Sequence, residues 1–147
     1  MSYTVRSNEE LLNEQLTPHF KRSEFSCKCK GKYCSPLHMN VDLRLVEICE
    51  VIRQHLNTPI RISSGCRCKT WNKLQGGVDD SSHVFGFAAD LHCDALGSKK
   101  LYEAIQELYN AGAIPNLRYC QRYIAKDFCH IDIDVNKKRK NIFVTVS

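Results

Sequence analysis

Apolar residues between Asn40 and Asn57 recur with a helical period. Val41, Leu45, Ile48, Cys49, Ile52 and Leu56 fall on one face, with charged and polar residues between them. Asn40 or Asp42 can cap the start of this helix, and Asn57-Thr58-Pro59 stops it. A second stripe, Leu101, Ala104, Ile105 and Leu108, predicts a helix over 98–112 with Ser98 as N-cap and Gly112 as C-cap. Shorter helices are expected over 9–16, ended by Thr17-Pro18, and over 69–74, with Trp71 turned inward. Phe20 and Phe25 are available to the core. Strand-like runs occupy 60–64, 88–93, 117–124, 128–135 and 142–146, punctuated by Gly65-Cys66-Arg67-Cys68 and Gly76-Gly77. No repeat or linker interrupts the chain. Helices and strands in this mixed order, with a late β-pair, predict one compact α+β domain over 1–147, a mostly antiparallel sheet flanked by helices.

Composition agrees with a globular protein at 43% hydrophobic and 25% charged residues. No segment approaches the roughly 20 apolar residues of a membrane helix. The first ten residues hold no apolar run, so a secretory leader is not expected. The net charge of +5 is mildly basic. Its one dense run, Lys137-Lys138-Arg139-Lys140, lacks interleaved aromatics and reads as a solvated turn. No nucleic-acid partner is expected, and a monomer is.

Nine cysteines is a high and odd number, which favours reduced thiols over a disulfide framework. Cys27, Cys29, Cys34 and His38 fall within twelve positions. They could close a second, structural zinc site, contain a disulfide, or be free thiols in a loop.

The segment from Gly76 to Asp90 carries the candidate chemistry. His83 and Asp90 lie seven residues apart, separated by small and apolar residues, and His130 follows late in the chain. Two imidazoles and a carboxylate can hold one Zn2+ and leave a fourth position for water, which then becomes a nucleophile near neutral pH. Two acids flank His130. On a strand Asp132 shares its face, whereas Asp127 has the opposite parity unless the strand begins at about Cys129. His92, two residues after Asp90, is a spare ligand or a hydrogen-bonded neighbour. Arg67 follows a strand and a turn, where a guanidinium can bind an oxyanion or a carboxylate.

Several motifs together resemble the M15 metallopeptidases. They are Ser63-Ser64-Gly65-Cys66-Arg67, Asn72 with Gly76-Gly77-Val78, Ser81-x-His83-x-x-Gly86-x-Ala88-x-Asp90, and Phe128-Cys129-His130-Ile131-Asp132. These are zinc D-Ala-D-Ala carboxypeptidases and peptidoglycan endopeptidases, small phage endolysins among them. The resemblance runs from about Phe20 to Val135. It implies a hedgehog/D-Ala-D-Ala-peptidase-like fold, one catalytic zinc on His83, Asp90 and His130, and hydrolysis of stem peptides, with D-Ala-D-Ala carboxypeptidase first. L-Ala-D-Glu or D,D-endopeptidase activity, or a non-catalytic zinc-stabilised binding module, are the alternatives. It also implies Arg67 at the oxyanion or substrate carboxylate, Ser81 hydrogen-bonding within the site, and an acidic base. Family spacing ranks Asp127 before Asp132 for that base. Cys66 and Cys68 around Arg67 depart from the usual turn. A wall hydrolase made in the cytoplasm without a leader suggests a phage lysis product released to the wall.

Overall fold

The computed structural model describes residues 6–147. Met1 to Val5, half of the segment read for a leader, lie outside the described residues. Four helices and two sheets form the α+β architecture that the sequence predicts.

The chain begins with α1 (Asn8–Leu12), capped by Ser7, and a small hairpin of β1 (Gln15–Thr17) and β2 (Phe20–Lys21). The helix expected over 9–16 is therefore shorter, because Leu16 is drawn into strand pairing with the segment beyond Pro18. A 3₁₀ turn over Arg22–Phe25 follows, and Phe20 and Phe25 bury edge-to-face at 5.9 Å between ring centres.

Helix α2 (Leu43–Leu56) carries the predicted stripe. Asp42 caps it by accepting from the Arg44 N–H at 2.9 Å, and Asn57 closes it in the left-handed conformation at φ 49°. Leu45, Ile48, Cys49 and Ile52 are buried. Each such side chain contributes on the order of 1.5–3 kcal/mol by leaving water. Helix α4 (Gly97–Asn110) packs on α2 and across β4, β5 and β6, burying Leu101, Ala104, Ile105 and Leu108. Gly112 follows the last turn at φ 76°, with its N–H on the Tyr109 carbonyl.

The main sheet has the order β3-β4-β6-β5-β7, formed by β3 (Arg61–Ser64), β4 (Ala88–His92), β6 (Phe128–Asp132), β5 (Tyr119–Tyr123) and β7 (Phe143–Val146). All pairs are antiparallel except β5 with β7. The register sorts the side chains. Leu91, Ala89, Cys129, Ile131 and Cys120 face the helices. Asp90, His130 and Gln121 sit opposite one another on the other face, with Ser64 beside Asp90. Helix α3 (Lys69–Leu74) borders that face. Trp71 is half-buried and stacks on Tyr33 at 6.3 Å, while Asn72 is the residue of this helix turned fully inward. No helix among the described residues is long and apolar enough to cross a membrane.

Candidate metal centre

The Ser81–Phe87 loop delivers His83 to the polar face of the sheet. Its glycine has a specific task. Gly86 adopts φ 75°, and a Cβ there would enter the carbonyl of Asn40. The Gly86 carbonyl in turn accepts the Asp42 N–H at 3.0 Å. Only glycine lets the loop lie on the chain entering α2. Ser81 is buried, and its Oγ accepts the His83 N–H at 3.3 Å. Ser82 donates to Asp134 Oδ2 at 2.8 Å, fastening the loop to the segment that follows Asp132.

His83, Asp90 and His130 converge, with donor atoms all within 4.8 Å of one another. His83 Nδ1 lies 2.8 Å from the Gly65 carbonyl. A carbonyl can only accept, so the proton sits on Nδ1 and the Nε2 lone pair is free. That Nε2 lies 3.3 Å from Asp90 Oδ1. His130 reaches the same oxygen with Nδ1 at 3.1 Å and directs Nε2 to Asp132 Oδ2 at 2.9 Å. Tetrahedral zinc with N and O ligands needs ligand–ligand separations of about 3.3 Å. The donor set and its spacing fit that ion, and each histidine has an oxygen acceptor behind it to fix the ring.

The charges are tightly coupled. Burial would raise the Asp90 pKa, but His130 and His83 outweigh it and hold the carboxyl well below the usual range. Burial would lower His130, yet hydrogen bonds to Asp132 and Asp90 lift it to about 9. Burial likewise opposes ionisation of Asp132, and His130 and Arg139 reverse that and lower its pKa.

Arg67 closes one side. Its Nε donates to Ser64 Oγ at 2.9 Å, Nη1 to Asn72 Oδ1 at 3.2 Å, and Nη2 to Asp90 Oδ2 at 3.5 Å. Asn72 is itself locked by donating Nδ2 to the Val78 carbonyl at 2.7 Å, and Gly77 leaves no room for a side chain against it. The two oxygens of Asp90 are thus divided, one facing the imidazoles and one facing the guanidinium.

The two flanking acids part company. Asp132 is fully buried behind His130, and also accepts from Arg139 Nη2 at 2.7 Å. Asp127 is exposed and is not brought to the group. It stands in the turn before β6 at φ 54° and accepts the Ser98 N–H at 2.8 Å. This corrects the expected cap of α4. Asp127 caps α4 from outside the helix, and Ser98 is inside the first turn rather than at the cap. Strand parity put Asp132 on the face of His130, and the two side chains meet at 2.9 Å. His92 also stays outside the cluster, with Nε2 on Ser63 Oγ at 2.8 Å.

The group opens into a cavity of about 450 Å³ lined by Arg67, Val78, Tyr119, Gln121, Tyr123, Lys126, Phe128, Lys137 and Arg139 among others. The basic run at 137–140 is therefore more than a solvated turn. Arg139 lies over the Tyr119 ring at 4.0 Å and buttresses Asp132, a role with no local signal in the sequence. Asp90 is the one carboxylate on the wall among the described residues, against the cations Arg67, Lys126, Lys137 and Arg139.

A second convergence lies at the base of the Arg67 turn. Cys27, Cys29 and Cys34 meet there, but the fourth member is Cys68. His38 is not part of it, and its Nε2 lies 3.1 Å from the Val84 carbonyl.

The family model described as Peptidase M15 matches residues 18–132, spanning β3 to β6 with all three residues of the cluster. The chain belongs to the M15 peptidase family. No curated protein matches it. M15 peptidases use zinc, and the His83–Asp90–His130 group of this M15 peptidase is a donor set of the kind that zinc takes.

Proposed function

We propose that this M15 peptidase hydrolyses peptide bonds in peptidoglycan stem peptides with zinc on His83 Nε2, Asp90 Oδ1 and His130 Nδ1, most favourably as a D-Ala-D-Ala carboxypeptidase. The observation that carries the reading is the shared Asp90 oxygen, 3.3 Å and 3.1 Å from two imidazole nitrogens, inside a cleft whose other charges are cationic. When bound, zinc supplies Lewis acidity toward a carbonyl oxygen and a lowered pKa for water.

The chain's own residues supply the rest. Arg67 is pre-aligned by Ser64 and Asn72, so its guanidinium need not reorganise as negative charge develops on a substrate oxygen. Tyr119 and Tyr123 are pushed above their ordinary pKa, first by burial, so they stay protonated, and Tyr119 donates to Gln121 Oε1 at 2.9 Å. Lys126, Lys137 and Arg139 suit a substrate with a free carboxylate, as the terminal D-Ala of a stem peptide has. Asp132 acts through His130, holding the ring so that Nδ1 faces Asp90.

One observation favours endopeptidase action. A second hollow of about 360 Å³ continues past Arg67 and Asp90, lined by Lys28, Ser63, Trp71, His92 and Phe128. Substrate could then extend on both sides of the scissile bond.

Muropeptide digestion followed by mass spectrometry separates the readings. Release of terminal D-Ala alone supports the carboxypeptidase. Cleavage within the stem or cross-link supports the endopeptidase. An intact substrate with zinc-loaded protein at every pH tried overturns both and leaves a zinc-stabilised binding module.

A further inference from the structure

We propose that Cys27, Cys29, Cys34 and Cys68 hold a second, structural zinc ion in an all-thiolate site that pins the N-terminal segment to the Arg67 turn. This site is independent of the His83 cluster and of the activity assigned to it.

The grouping of the sulfurs suits a closed tetrahedral site. The four sulfurs lie within 4.8 Å of one another, and Cys29 Sγ is 3.4 Å from Cys34 Sγ. Four Zn–S bonds of about 2.3 Å require sulfur–sulfur separations near 3.8 Å. The backbone is shaped for the purpose. Lys30 and Gly31 take positive φ of 54° and 84°, and the Lys30 and Lys32 N–H groups return to the Cys27 and Cys29 carbonyls at 3.1 Å each. This tight turn folds Cys29 and Cys34 onto one point.

Peptide N–H groups are directed at the sulfurs. The Cys68 N–H points at Cys27 Sγ, the His38 N–H at Cys34 Sγ and the Trp71 N–H at Cys68 Sγ, each at 3.4 Å. Three of the four sulfurs thus meet a peptide N–H, the arrangement that stabilises a charged acceptor. Lys28, Lys30, Lys32 and Lys69 lie beside the cysteines in the chain and offset the net negative charge of four thiolates on one Zn2+. The other five cysteines take no part. Cys66, two residues from Cys68, donates instead to the Asn40 carbonyl at 2.9 Å.

The consequence for the fold is specific. Cys68 lies 41 positions from Cys27, adjoins Arg67 and caps α3, which supplies Asn72 to the guanidinium. A metal here cross-links two remote segments under the cleft.

Metal analysis of the purified chain tests this. Two zinc ions per wild-type chain are expected, one in His83→Ala and one in Cys68→Ser. In cobalt-substituted protein, intense sulfur-to-metal absorption in the near ultraviolet should survive His83→Ala and vanish in Cys68→Ser. Should Cys68→Ser fail to fold, wild type and His83→Ala decide alone, and Cys68→His should restore the second ion. A single zinc that survives His83→Ala supports the structural site and sinks the catalytic one. A single zinc lost in His83→Ala, no zinc at all, or a Cys29–Cys34 disulfide in unreduced peptides overturns the proposal.

Discussion

Asp132 accepts the Nε2 proton of His130 at 2.9 Å from a fully buried position, while Asp127, three residues before that histidine, turns away to bind the Ser98 N–H at 2.8 Å. The two acids therefore have separate consequences when altered. Asp132→Asn keeps the shape but removes the charge that orients the ring. Zinc affinity is expected to fall about 10- to 100-fold, the usual effect of losing a carboxylate behind a ligating histidine. Competition against a chelator measures it, and an unchanged affinity would count against the positioning role.

Asp127→Asn should leave turnover within a few-fold of wild type, since asparagine tolerates the same positive φ and can still cap α4. Asp127→Ala should lower stability by roughly 0.5–2 kcal/mol through the lost cap. Thermal melts and steady-state kinetics on the pair check this. A loss of 10²-fold or more in Asp127→Asn, with zinc still bound, would restore this residue as general base.

Arg67→Lys and Arg67→Ala should both reduce kcat by about 10²–10³-fold with metal content retained. Lysine cannot reproduce three donors directed separately at Ser64, Asn72 and Asp90. Rescue of activity by lysine would show that charge alone is needed.

The metal-free protein should respond to pH through His130. Its pKa is raised from 6.5 to about 9 by Asp132 and Asp90 in spite of burial. A raised pKa contributes stability that is complete below the unfolded value and disappears as pH climbs through the folded one. The melting temperature of the metal-free chain should therefore fall between about pH 6.5 and 9. Zinc affinity should rise over the same window, because Nδ1 must shed its proton to become a ligand. Flat behaviour in both measurements would contradict the coupling.

Gly86→Ala should destabilise the fold by more than about 1 kcal/mol and weaken metal binding, since the added Cβ meets the Asn40 carbonyl at an already unfavourable φ. Gly76 also has positive φ, yet nothing lies within 4 Å of a Cβ there, so Gly76→Asn should be mild. Melts and zinc titrations of the two variants compare loop packing with backbone conformation alone.

The local periodicities were legible because they report local geometry. The stripe of α2, the alternation that puts Asp90, His130 and Asp132 on one face, and the turn that frees Arg67 all follow from residues near one another in the chain. The motif from Ser81 to Asp90, with Phe128–Asp132, also pointed to the family. The tertiary structure decided what depended on distant partners. Asp127 turns to α4 because the helix N-terminus, 29 residues earlier, offers an unpaired N–H. Arg139 enters because the segment after β6 folds back over Tyr119. Cys68 replaces His38 in the cluster because the Arg67 turn packs on the turn between Cys27 and Cys34. Spacing along the chain ranks candidates by proximity in sequence, but a carboxylate, guanidinium or thiol acts on whatever the fold places within about 3–4 Å of it.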